Sequence, residues 1–246
     1  MAMTAARELA LSAAAVLDAA AICQSRPAAE EAVYLAALAL PGLSYQDCAG
    51  LALGARDRAL AGMREATFGA ALSLRAACPA CGEAIDVATT TADLLVEEGK
   101  GGEVMVEIAG LDFAVRPATS ADLAILADIA DPAAARETLA RRCLVPLGEY
   151  PVPEALDAAE TDSVGAALAT ADPAADLFVA LRCFECGAPW DAPIDMARIL
   201  AADITAASEM LIDDIHELAA AYHWSEAQIL ALAPERRLAY LKRLRG

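Results

Sequence analysis

Aromatic side chains are scarce in this sequence: Phe, Trp and Tyr make up 4% of the 246 residues, although 58% of the chain is hydrophobic. Much of the hydrophobic fraction is alanine, which favours helices but buries little area per residue. This scarcity argues against a thick core built on large side chains. We therefore predict a mainly helical protein whose thin core depends on a metal or a partner for stability.

Basic residues are also few, because 18 Lys and Arg stand against 36 Asp and Glu, giving a net charge of −18. A negative field of this size repels nucleic-acid phosphate, which argues against a DNA- or RNA-binding protein. A local basic stretch occurs only in "RRLAYLKRLRG" at residues 236–246. Its cations are expected at the negative end of a terminal helix.

Long hydrophobic runs are missing as well. The stretch "AVYLAALALPGL" is interrupted by Pro41 and is shorter than the roughly 20 residues that a spanning helix requires. The stretch "LALSAAAVLDAAAIC" is similar to a signal sequence, but Asp18 interrupts it and Glu8 precedes it. An amphipathic first helix is the favoured interpretation. We expect no membrane span and a protein that is made in the cytoplasm.

Signatures of the common catalytic sites are not found in the sequence. The stretch that begins at His216 starts like the zinc motif His-Glu-x-x-His, but Ala220 stands where the second ligand belongs. His216 and His223 are predicted to pack rather than to catalyse. No phosphate-binding glycine loop, nucleophile elbow or pair of catalytic carboxylates stands out. We therefore predict a protein that is not an enzyme and has no small-molecule substrate.

Four of the seven cysteines form two matching motifs, "CPACG" at residues 78–82 and "CFECG" at residues 183–187. Each motif lies between strand-like stretches, and its glycine allows a positive φ, so that backbone amides can point at the sulfur atoms. One pair supplies two thiolates, whereas a structural zinc ion takes four ligands in a tetrahedron. The sequence predicts one structural Zn²⁺ in a zinc ribbon, bound by Cys78, Cys81, Cys183 and Cys186.

A redox-active dithiol is the rival interpretation of these motifs. A redox Cys-x-x-Cys pair usually opens a helix, but here each pair lies between strand-like stretches and is followed by glycine. Four cysteine ligands leave no open coordination position, so the predicted zinc is structural and not catalytic. Cys23 and Cys48 are predicted to be small core residues. Cys143 is left without a predicted role.

The spacing of hydrophobic residues and the positions of capping, proline and glycine residues divide the chain into five segments. Helices are predicted in residues 1–66, in an insertion at 119–175 and in residues 195–246. A β module with the first Cys motif is predicted at 67–118, and residues 176–194 carry the second motif, which completes the ribbon. The predicted fold class is α+β, mainly α, with helical N- and C-terminal segments around a small zinc-ribbon β module. Helix starts are marked by Ser44, Ser120, Asp131 with Pro132, Ser225 with Gln228, and Pro234, and a helix end by Gly69.

Three parts of the sequence resemble a known family. Residues 213–244 carry Leu-Ala-x-x-Tyr-x-Trp-Ser-Glu, then Ile-Leu-x-Leu and Arg-Arg-x-x-Tyr-Leu. The stretch "ARDRALAGMREATFG" with "CPACGE", and the stretch "LRCFECGAPWDAPID", are similar to the same proteins. The pattern resembles baseplate and hub-assembly proteins of contractile phage tails and phage-like injection systems, the T-even-like baseplate family. The matching C-terminal residues are Leu218, Ala219, Tyr222, Trp224, Ser225, Glu226, Ile229, Leu230, Leu232, Arg236, Arg237, Tyr240 and Leu241.

The resemblance implies a structural or assembly component of a baseplate whose partners are other baseplate or tail proteins. It leaves open whether the protein is an assembly chaperone in the cytoplasm or stays in the particle. An alternative hypothesis is a zinc-ribbon adaptor or regulatory protein that acts through protein–protein contacts. Tyr222 and Trp224 also have two interpretations: they anchor a partner, or they close the protein's own core against the last helix.

Overall fold

A computed structural model describes residues 9–94 and 104–246. The structure is 56% helical, with 17% strand in small sheets, which confirms the predicted mainly-α α+β class. The helices are α1 (Ala13–Cys23), α2 (Ala28–Ala39), α3 (Tyr45–Ala49), α4 (Leu53–Phe68), α5 (Thr91–Leu94), α6 (Ser120–Leu126), α7 (Pro132–Cys143), α8 (Ala158–Ala171), α9 (Met196–Tyr222), α10 (Glu226–Leu230) and α11 (Pro234–Leu244). The strands are β1 (Ala71–Ala77), β2 (Ala84–Thr90), β3 (Val104–Ile108), β4 (Leu111–Val115), β5 (Leu144–Pro146), β6 (Phe178–Arg182) and β7 (Pro189–Pro193).

The helix boundaries follow the predicted capping and helix-ending residues with one exception. Ser44 caps α3 in a capping box, Asp131 caps α7 ahead of its proline, and α4 ends at Gly69, whose φ is +90°. Helix α6 is capped one residue earlier than predicted, by Thr119, whose hydroxyl accepts from the amide of Asp122. The Ser120 hydroxyl is buried and accepts a hydrogen bond from Arg56 instead.

The strands form three separate antiparallel sheets. Two are hairpins, β1–β2 and β6–β7, and the third has the order β3–β4–β5. The segment predicted as one β module, residues 67–118, therefore contains strands of two different sheets. β5 lies after α7 and pairs with β4 in the register Val115 to Leu144, so part of the segment 119–175 completes the three-stranded sheet.

The largest core lies where α1, α2 and α4 meet the first half of α9. Fully buried side chains there include Leu35, Leu60, Met63, Leu200 and Ile204. Most of the buried residues that α1 and α2 contribute are alanine, which lets helix backbones come close together but buries little area. A second core lies between the three-stranded sheet and helices α7 and α8; Phe113, Ile108 and Val164 are buried in it.

The C-terminal half of α9 packs on α10 and α11 around a third, smaller cluster of Leu218, Ile229 and Leu241. The Trp224 ring stacks on Tyr222 at 4.7 Å between centroids and meets the edge of Tyr240 at 4.9 Å. These contacts favour the interpretation that Trp224 closes the protein's own core. The three helices are called the C-terminal unit below.

The predicted packing role of the two histidines is wrong. His216 and His223 are both exposed. His223 instead ends α9 through its backbone, because its φ of +56° is left-handed and its amide donates to the carbonyl of Ala219. Apolar residues nearby in the sequence had suggested a shared buried face, but the helix ends before His223.

A membrane-spanning helix was not expected from the sequence. In residues 9–94 and 104–246, no helix combines the length and the apolar character that a bilayer crossing requires.

Candidate metal centre

The two Cys motifs form the turns of the β1–β2 and β6–β7 hairpins, and their backbone conformations match. In each turn the amide of the first cysteine donates to the carbonyl of the residue five positions later, at 2.8 Å for Cys78 and 2.9 Å for Cys183. The glycine amide in turn donates to the carbonyl of that first cysteine. Gly82 has φ +77° and Gly187 has φ +74°, so the predicted positive φ is confirmed in both turns.

The hairpin turns bring the four predicted ligands together. The Sγ atoms of Cys78 and Cys186 lie 3.7 Å apart, and those of Cys81 and Cys183 lie 3.6 Å apart. All four sulfur atoms lie within 4.8 Å of one another. Four metal–sulfur bonds of about 2.3 Å in a tetrahedron place the sulfur atoms about 3.8 Å apart. The cluster therefore has the dimensions of a tetrahedral four-thiolate site and can hold a metal ion.

The pairing of the sulfur atoms is reciprocal. The first cysteine of each motif lies beside the second cysteine of the other, as expected when two equivalent turns face each other. Cys78 and Cys183 are buried, at 2% and 1% exposure, whereas Cys81 and Cys186 are exposed. An ion bound here would be shielded by the hairpins on one side and accessible from solvent on the other.

Hydrogen bonds within the cluster shift the pKa of three of its thiols. Burial opposes ionisation of Cys78, but hydrogen bonds from the amides of Cys81 and Ala80 and from neighbouring thiols lower its pKa to about 7. The backbone amide of Glu83 favours the Cys81 thiolate, but its neighbouring thiols and burial outweigh that effect and raise the pKa of Cys81 to about 12. The pKa of Cys186 is also raised. The Cys78 thiolate thus forms readily while Cys81 and Cys186 keep their protons, which a bound cation would displace.

The base of the first hairpin is fixed by Arg64, which is buried in α4. Its guanidinium donates to the carbonyls of Gly69 at 2.6 Å and Ala71 at 2.8 Å, and to the carboxylate of Asp203 on α9 at 2.8 Å. Arg64 therefore ties the start of β1 to both α4 and α9. Sequence reasoning missed this residue; a lone arginine on the apolar side of "AGMREATFG" was the available signal.

The base of the second hairpin enters the main core directly. The amide of Ile194 donates to the carbonyl of Leu177 at 2.8 Å, and Leu177 is buried in the first cluster. Asp195 then caps α9 by accepting from the amide of Arg198. Both hairpins are thus anchored at their bases to the main helical core, and their turns converge on the four cysteines.

The facing sides of the hairpins do not close on each other. A cleft of about 320 Å³ lies between them and α9, lined by Leu74, Val87, Val179, Leu181 and Ile199 among others. Two-stranded hairpins are marginally stable by themselves in water. The apolar faces are only partly packed together along this cleft, and the cysteine cluster connects the two turns.

The other three cysteines lie away from this cluster. Cys23 and Cys48 are buried in the main core, which confirms the prediction for both. Cys143 is fully buried in the second core. Burial raises the pKa of Cys23 and of Cys143 to about 11, so both are protonated at neutral pH.

Comparisons with known proteins identify no relative. No family model, no curated protein and no solved structure matches this chain.

Proposed function

We propose that this protein is a structural or assembly component of a contractile phage-tail-like baseplate, with its two β hairpins cross-linked by a structural zinc ion. The observation that carries the proposal is the four-cysteine cluster, which joins segments more than 100 residues apart into one site of tetrahedral dimensions. The baseplate assignment comes from the resemblance of the C-terminal segment and of both Cys motifs to proteins of that family.

Zinc is the metal that this donor set favours. Four thiolates in a tetrahedron are typical of structural zinc and of iron–sulfur sites, and soft sulfur ligands disfavour magnesium, calcium and manganese. The repeated Cys-x-x-Cys-Gly turn on two hairpins is the zinc-ribbon arrangement. Cys78, Cys81, Cys183 and Cys186 would hold the ion, and the ion would supply cross-linking energy and no reaction chemistry.

The role proposed for the ion is mechanical. With four cysteine ligands the coordination shell is complete, so no position is open for water or a substrate. The ion would hold the β6–β7 hairpin in place, and this hairpin carries Phe184 and Phe178, which are 71% and 54% exposed. Aromatic side chains are favoured anchors at protein interfaces. A rigid hairpin that presents them suits a protein whose partners are other baseplate or tail proteins.

The assignment is tested in the cells that encode this chain, by deleting its gene and counting sheathed particles by electron microscopy. We expect no assembled particles after deletion, recovery with the unaltered gene and no recovery with Cys183→Ser. Cys48→Ala, which removes a thiol outside the cluster, is the matched control and should restore assembly. Particles of normal number and length in the deleted cells would overturn the baseplate role. Recovery by Cys183→Ser would overturn only the role of the metal.

A further inference from the structure

Basic residues are concentrated at the last helix of this acidic chain. Residues 234–246 contain five basic residues and one acidic residue, a net charge of +4, while residues 1–233 carry −22. The predicted placement of the cations at the end of a helix is met in part, since Lys242 and Arg243 lie in the last turn of α11. A helix-end effect does not account for Arg236, which lies in the first turn.

Two of the five cations serve the chain's own fold. Arg237 is buried and pairs with Asp214 of α9 at 3.4 Å, and Arg245 pairs with Glu217 of α9 at 2.8 Å. Together with Leu241, which is buried against α9, these contacts fix the inner side of α11. They also determine which side of α11 faces away from the protein.

The outer side of α11 carries three exposed cations. Arg236, Lys242 and Arg243 are exposed, and none forms an ion pair with any described residue. Leu238, with 47% of its surface exposed, lies at one edge of this side, next to Lys242 four residues later and to Glu235, the acidic residue on this side, three residues earlier. This outer face therefore has a net charge of +2, with Leu238 as an exposed apolar residue at one edge.

An acidic groove lies between α7 and α8, next to the second core. It has a volume of about 390 Å³, and its charged lining consists of Asp131, Glu137, Asp162 and Arg136, a net charge of −2. Leu156, at 8% exposure, supplies apolar surface in the lining. The one ion pair across these residues, Arg136 with Asp162 at 2.8 Å, is 68% exposed on both sides and contributes little stability.

We propose that the outer face of α11 docks into the α7–α8 groove of a second copy of this chain. Three cations, one anion and a leucine on α11 face three anions, one cation and a leucine in the groove. This complementarity selects the partner, because like-charged surfaces elsewhere on two chains of −18 repel each other. Within its own chain, α11 is held on α9 with this face directed away.

The contact joins two different surfaces, so it is heterologous. A heterologous contact leaves a free groove on one copy and a free helix on the other, and repeated association builds rings or open chains. The interface is small, because a helix of 11 residues is only about 16 Å long. We therefore expect weak association that depends on protein concentration and is suppressed by salt.

Sedimentation velocity of the full chain tests this proposal, from about 10 to about 500 µM protein. At about 30 mM NaCl the mean mass should rise with concentration, and at about 500 mM NaCl it should return to that of one chain. Lys242→Glu combined with Arg243→Glu should weaken association at low salt roughly tenfold or more, which corresponds to about 1.4 kcal/mol. Arg26→Glu combined with Arg75→Glu makes the same change in charge elsewhere and should leave association as in the unaltered chain.

A charge exchange tests the groove separately. Asp162→Lys should also weaken self-association, and mixing it with the α11 variant should restore complexes that contain both chains. An unaltered chain that sediments as a single copy at every concentration and salt would overturn the proposal. So would an α11 variant that associates like the unaltered chain. A mixture that stays monomeric would overturn the groove as the docking site. Circular dichroism of each variant confirms that the fold is intact.

Discussion

The sulfur atoms of Cys78 and Cys186 lie 3.7 Å apart although 108 residues separate them in the chain. Cys81 and Cys183 repeat the relationship across 102 residues at 3.6 Å. The three-stranded sheet and helices α6 to α8 lie between the two motifs in the sequence, so they form an insertion between the two hairpins. An ion bound by these residues would therefore act as a long-range cross-link between the two hairpins, and most of its effect on stability should appear there.

The first prediction concerns the loss of one ligand. Cys183→Ser should release the metal and open both hairpins, because structural zinc contributes roughly 10 kcal/mol or more to folding of small modules. The main helical core lies outside the cluster, so the helical circular dichroism should change little. Hydrogen exchange should accelerate at residues 71–90 and 178–193 and remain slow in α2. Cys48→Ala, the control, should keep both the metal and the protection of the hairpins.

A second prediction concerns Asp122, a buried carboxylate that contacts two arginines. It accepts two bonds from Arg116, the residue after β4, at 2.7 and 2.9 Å, and one from Arg142 of α7 at 2.9 Å. Asp122→Asn should lower the free energy of unfolding by about 3 kcal/mol, at the low end for a broken buried ion pair because both arginines are about a third exposed. Urea unfolding of both proteins measures the difference.

The pH dependence of Asp122 gives an independent check. Burial opposes its ionisation, but the hydrogen bonds from Arg116 and Thr119 outweigh burial and hold its pKa well below the usual range. Because the pKa is lower in the folded state, the stabilisation is present above the unfolded value of about 3.9 and is lost as the pH falls below it. The difference between the unaltered chain and Asp122→Asn should therefore shrink below about pH 4. A difference that stays constant down to pH 2 would contradict this account.

The third prediction separates metal binding from partner binding. Phe184 lies in the turn of the second Cys motif with 71% of its surface exposed, so Phe184→Ser should change the free energy of unfolding by only about 0.5 kcal/mol. Metal content should stay the same, while the ability to restore particle assembly in deleted cells should fall. Met210→Ser, on an exposed position of α9, is the control and should restore assembly. Full restoration by Phe184→Ser would mean that this hairpin turn is not a partner surface.

The fourth prediction concerns Trp224. Its ring contacts with Tyr222 and Tyr240 connect α9 to α11, so Trp224→Ala should destabilise the C-terminal unit by about 2 kcal/mol, less than for a fully buried Trp because the ring is only partly buried. Limited proteolysis should then cut within residues 223–246 while the metal and the main core persist. If the variant instead keeps a protected C-terminal unit and only particle assembly is lost, Trp224 is a partner contact and the core interpretation is wrong.

The sequence predicts those parts of the structure that depend on residues close together in the chain. The two hairpin turns were predictable because Cys-x-x-Cys-Gly determines its own backbone shape within five residues, and Gly82 and Gly187 adopt the conformation expected of them. The caps at Ser44 and Ser225 were predictable for the same reason, since a hydroxyl and an amide three residues later suffice.

Features that depend on distant residues were not predictable from the sequence pattern. β5 has three residues and no alternation, and it is a strand only because Leu144 pairs with Val115 of β4. Arg64 stands in an ordinary helical pattern, and its partners Gly69, Ala71 and Asp203 become neighbours only in the folded chain. The division of residues 67–118 between two sheets likewise depends on tertiary packing.

The central claim is that one metal ion joins the two hairpins through four sulfur atoms. X-ray absorption at the zinc edge, with elemental analysis of the same purified sample, tests it most directly. We expect one zinc per chain surrounded by four sulfur atoms at about 2.3 Å and by no nitrogen or oxygen ligand. A folded protein without stoichiometric metal and with four titratable thiols at these cysteines, or a zinc ion with nitrogen or oxygen ligands, would contradict the account.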